Sequence, residues 1–139
     1  MARPAAMMRL LLVTALLTAC GQAPASEPPP LVGEFTASGA TELGAPRPFA
    51  PGTEVKARFT DDGHLTVRGG CNTLSGRVDA GGGALALGEA AVTEMACDEA
   101  RTDQDRFLVA LFSAGPTWRL DGDTLLLAGG DATLTLTRD

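Results

Sequence analysis

From residue 53 onward the chain is written as short runs of alternating apolar and polar side chains, each closed by a turn signal. "TEVKARFT" places Val55, Ala57 and Phe59 on one side and Lys56 and Arg58 on the other, the period-2 pattern of a half-buried strand. "HLTVRG" repeats it with Leu65 and Val67, and the intervening "DDG" is a hairpin signal. The same grammar returns with Leu85 and Leu87 after "DAGGG", with Trp118 and Leu120 before "DGD" and Leu125 and Leu127 after it, and with Leu134 and Leu136 among threonines. Strands this short and this evenly punctuated predict an antiparallel sandwich or barrel. With 17 Gly and 9 Pro in 139 residues, the composition fits one turn-rich domain with accessory segments.

One segment departs from that period. In "DEARTDQDRFLVALFSAG", Phe107, Leu108, Leu111 and Phe112 fall on one stripe of a helix, while Arg101, Asp105 and Arg106 are expected to face water. Asp98 or Thr102 is placed to cap its start, and Gly115-Pro116 stops it. The expected role of this helix is to cover an open end or face of the sheet.

The N-terminus reads as a processing signal. Arg3 and Arg9 precede the apolar run Leu10–Leu17, too short for a stable membrane span, and small residues then lead to Cys20. The ending Leu17-Thr18-Ala19-Cys20 resembles the bacterial lipobox, which implies that residues 1–19 are a lipoprotein signal peptide and that Cys20 carries the lipid. Residues 20–30 contain four prolines and no large apolar side chain, a spacer composition. Residues 31–139 are the expected folded domain. Removing residues 1–19 leaves 9 cations against 17 acids, a net charge of −8. Such a chain has no basic surface for nucleic acid, and membrane attachment falls to the lipid rather than to charge.

With Cys20 assigned to lipid, Cys71 and Cys97 remain, an even number in an exported domain where pairing is the default. A nucleophilic Cys71, with Arg68 and Arg77 near in sequence, is the less favoured reading, because activation requires an electropositive pocket. His64 lacks a supporting third group for a dyad with Cys71 or for a metal site with Asp61 and Asp62, and reads as a solvated turn residue. Asp121, Asp123 and Asp131 lack the spacing of a calcium loop and read as turn residues; Asn72 and Ser75 read as local backbone caps.

"GGCNTLSGR", "TEMACDEARTDQDRFLVAL" and "WRLDGDTLLLAGGDATLTL" together resemble the META-domain family, which includes the heat-inducible HslJ-type bacterial lipoproteins. The resemblance runs from Leu31 to the end of the chain. Its motif residues include Gly70, Cys71, Asn72, Ser75, Gly76, Thr93, Met95 and Cys97, followed by Leu120-Asp121-Gly122-Asp123. Glu94 stands where the family usually has arginine, Asp98 where proline is common, and Phe35 where a tryptophan is expected. The resemblance implies a small antiparallel β-barrel-like, loosely lipocalin-like META domain with one packed helix. It also implies a protein of the cell envelope associated with stress or antibiotic tolerance, with no catalytic residues, cofactor or metal. The expected partners are the membrane, through Cys20, and an envelope protein; the alternative is a barrel that binds a small hydrophobic ligand.

Overall fold

The computed structural model describes residues 30–139 together with Gly21. The signal segment, Cys20 and most of the proline-rich spacer lie outside the described residues. In chain order the elements are β1 (Gly33–Glu42), β2 (Ala45–Pro46), β3 (Lys56–Phe59), β4 (His64–Arg68), β5 (Thr73–Asp79), β6 (Ala86–Val92), α1 (Glu99–Ser113), β7 (Thr117–Asp121), β8 (Thr124–Gly129) and β9 (Ala132–Arg138). Neighbouring strands are antiparallel, in the order β6-β5-β4-β3-β1-β9-β8-β7, with the short β2 turning back on the end of β1. The first strand thus joins two meanders, one made before the helix and one after it.

The period-2 reading holds in the middle of the sheet. Val55, Ala57, Phe59, Leu65 and Val67 are buried, as are Leu125, Leu127, Leu134 and Leu136. The "DDG" hairpin pairs Phe59 with Leu65, closed by the Thr60 N–H donating to the His64 carbonyl at 2.9 Å. Leu87, Trp118 and Leu120, expected inside, are only half-buried because β6 and β7 are the two edge strands.

The sheet curls into an open half-barrel. Its two edges touch at an isolated bridge between Ala84 and Thr117, supported by Leu85 N–H to Pro116 O at 2.8 Å and Trp118 Nε1–H to Ala80 O at 2.9 Å. Beyond that point β6 and β7 do not pair with each other, and α1 packs over the sheet against β6 and β8. The Asp98 side chain accepts from the Arg101 N–H, satisfying an orphan donor of the first turn. At the other end Gly115, at φ +66°, and Pro116 terminate the helix.

Phe107, Leu108, Leu111 and Phe112 form the buried stripe that the sequence predicts. Asp105 does not face water: it is 8% exposed, and its neighbour Gln104 is 3% exposed. Both polar side chains bind the loop and turn beneath the helix.

Each of the four apolar side chains contributes about 1.5–3 kcal/mol on burial. Leu111→Asp removes one contribution and buries a carboxylate at a further cost of several kcal/mol, against a typical total stability of about 5–15 kcal/mol. The expected outcome is loss of the cooperative melt by circular dichroism; a normal melt would show that helix docking is dispensable.

Candidate functional site

The motif residues meet where the turn after β4 passes under the first half of α1. Cys71 lies in that turn and Cys97 immediately precedes the helix cap. They form a disulfide with Cα atoms 6.1 Å apart, spanning a sequence separation of 26. On the loop-entropy account such a link stabilises by roughly 3–4 kcal/mol. Both sulfurs are committed to the bond, so the nucleophilic reading of Cys71 has no thiol to work with.

Asn72 is the centre of the arrangement. Its backbone N–H and its side-chain Nδ2–H both donate to Asp105 Oδ2, at 2.9 and 3.0 Å, joining the turn to the helix. Nδ2 also donates to the Met95 carbonyl at 3.3 Å, while Oδ1 accepts from the Met95 N–H at 2.7 Å and from the Thr93 hydroxyl at 3.0 Å. The expectation of a local cap is therefore corrected: an amide has donors and acceptors enough to serve two other segments at once, and here it joins the helix to the connector.

Gln104 works the same way one position earlier. Its Oε1 accepts from the Ala50 N–H at 2.6 Å, and its Nε2 donates to Thr53 Oγ1 at 3.0 Å and to the Gly69 carbonyl. The approach requires glycine beneath it. A Cβ on Gly69 would lie 2.3 Å from Asp105 Oδ1, and Gly70 has φ +104°, a conformation side chains resist. Asp105 Oδ1 itself is buried without a hydrogen-bond partner, beside a cavity of about 10 Å³ lined by Val67, Leu74, Val92 and Leu108.

The remaining candidates scatter. Ser75 sits in mid-strand opposite Thr66, in no position to cap a turn, and Gly76 is buried opposite Leu65. Met95 is 65% exposed. His64 begins β4, whereas Cys71 follows its end; Asp62, held below its usual carboxylate range chiefly by the Thr60 hydroxyl, is exposed in the hairpin turn with Asp61. Asp121 and Asp123 flank the β7–β8 turn and Asp131 lies in the β8–β9 turn, at opposite ends of β8. Asp123 lies 3.7 Å from Arg138 Nε, an ion pair with another strand. Among the described residues no three His, Cys, Asp or Glu side chains converge in a metal-binding group.

A separate groove of about 450 Å³ runs between α1 and the β1–β2 and β8–β9 turns, lined by Leu43, Arg47, Arg106, Phe107, Ala110 and Gly130 among others. Leu43 overhangs it, 77% exposed and at φ +51°. Nothing in the sequence pattern singles out this groove or Gln104, and the pattern sets Asp105 toward water rather than beneath the helix.

Residues 33–139 match a family signature described as the META domain. The chain belongs to the META domain family. Three solved structures share the fold of this META domain. An NMR structure of a protein from Burkholderia xenovorans is 19% identical with a TM-score of 0.66, covering 86% of this chain and 96% of that one. A second NMR structure is 21% identical with a TM-score of 0.62, covering 76% and 88%. A crystal structure of a DUF4847 family protein from Bacteroides vulgatus is 14% identical with a TM-score of 0.55, covering 78% and 93%. No curated protein matches the sequence.

Because Asn72 ties its turn to connector and helix, Asn72→Ala removes the side-chain hydrogen bonds to Asp105, Met95 and Thr93 and costs about 2–4 kcal/mol. Ser75→Ala changes stability by less than about 0.5 kcal/mol. Urea denaturation of the two variants measures the contrast, and equal midpoints would remove Asn72 from its central place.

Proposed function

We propose that this META domain protein is a lipid-anchored, non-enzymatic component of the cell envelope, acting as an interaction module in stress or antibiotic tolerance. The observation that carries the reading is the filled interior of the half-barrel. Phe35, Leu65, Leu108, Phe112, Leu125, Leu127, Leu134 and Leu136 are each no more than 2% exposed. Phe35 packs edge-on against Phe59 with ring centroids 6.0 Å apart. A core occupied by its own side chains leaves the outer surface as the part available to another molecule.

The envelope assignment rests on the N-terminal signal and on Cys20. A negative chain is repelled by anionic lipid, so attachment depends on the acyl groups. Cys20→Ala is expected to move the protein from the membrane pellet to the soluble fraction on ultracentrifugation, and continued sedimentation with membranes would count against the anchor.

A second reading has one observation in its favour. The groove beside α1 has the volume of a small-molecule site, an apolar floor at Phe107 and Ala110, and a charged rim. On this reading native mass spectrometry of the purified protein finds a retained small molecule. Protein of bare chain mass throughout would leave the groove to the interaction reading.

A further inference from the structure

The connector between β6 and the helix is held as if it were more strand. Ala91 is in register with Ser75, the Thr93 N–H donates to the Thr73 carbonyl at 3.1 Å, and Met95 gives its N–H and its carbonyl to the two ends of the Asn72 amide. The side chain of Asn72 thus takes the place of the next strand residue. Residues 91, 93 and 95 turn their backbone polar groups inward, so by strand alternation 90, 92 and 94 turn theirs outward. All six residues are exposed, and among the described residues no strand pairs with that outer edge. The disulfide to Cys97 fixes the far end of the stretch.

We infer that residues 90–95 are a preformed docking edge for an extended, basic polypeptide segment, which adds to the sheet beyond β6. The inference rests on the interaction-module reading and names the surface it uses. Backbone pairing along a ready-made edge supplies affinity, and alternate side chains supply selectivity. The side chains on offer are small or apolar at Ala90, Ala91, Val92 and Met95, without the lysine or proline that usually guards an open edge. The β6 irregularity at Glu89, φ +51°, lies just before the run and not within it.

Charge selects the occupant. Glu89 and Glu94 flank the edge; Glu94 has no ion-pair partner among the described residues, and Arg77 reaches Glu89 only at 3.7 Å with both side chains mostly exposed. The whole chain has 17 acids against 11 cations, so a second copy is repelled where a basic strand is attracted.

The test uses the full-length protein, isotopically labelled in detergent micelles, titrated with an acetylated and amidated peptide of three Lys-Val repeats and with its Glu-Val counterpart. The basic peptide is expected to shift and protect the amides of Ala90, Val92 and Glu94. Glu94→Lys weakens it by about two- to fivefold, the reach of an exposed ion pair. Val92→Pro abolishes it without loss of fold, because the amide removed faces away from β5.

Equal binding of both peptides, perturbation centred elsewhere, or undiminished binding by Val92→Pro would overturn the assignment. So would protection of the same three amides by raising protein concentration alone, which assigns the edge to a second copy. Those outcomes leave the interaction-module reading standing. That reading falls separately, if cross-linking in intact membranes captures no partner on any face of the chain.

Discussion

A half-barrel whose edges meet at a single bridge has an apolar interior open along one side, and closing that opening is the constraint on which the other contacts depend. The curl comes from the strands, but the dry interior comes from α1. A helix of 15 residues is too short to hold its position by propensity alone, so its place has to be set by its neighbours. The Asp98 cap, the Cys97 disulfide just before it, and the pair Gln104 and Asp105 on its buried side do this within two turns of its start. The four large apolar side chains then fall over the sheet.

Holding a helix by buried polar groups has a cost as well as a benefit. Asp105 places a carboxylate against apolar walls with one oxygen satisfied twice by Asn72 and the other not at all. A leucine there would fill space, yet it would not distinguish one rotation of the helix from another. Two hydrogen bonds from one residue to a single oxygen do make that distinction. The motif is accordingly a positional device. It orients the helix on one side and the Thr93–Met95 connector on the other.

Much of the β architecture was legible in the residues because central strands alternate cleanly, and the helix was legible in its stripe and its cap. The errors have a common origin. The charge of Asp105 points to water, although its spacing from Leu108 and Phe112 sets it on the buried face. Gln104, seven residues before Leu111, lies on the same face. Asn72 reads as a cap of its own turn because one sequence carries no sign of a contact with residues more than 20 positions away. The half-burial of Trp118 and Leu87 depends on strand order, which period-2 patterning does not encode. The resemblance to META domains located the Cys-Asn turn, but not what the turn holds.

The pairing of the first strand with the last has a kinetic meaning. Phe35 lies opposite Arg138, and the Thr36 hydroxyl reaches Asp139, 103 residues away. Among the described strands β1 carries the continuous pairing between the two meanders, so the sheet is incomplete until β9 has been made. Contacts of such separation form slowly, after a large loss of chain entropy. In a polypeptide arranged this way β1 waits for its β9 partner through most of synthesis. The strand order thus postpones closure of the half-barrel to the pairing of β1 with β9.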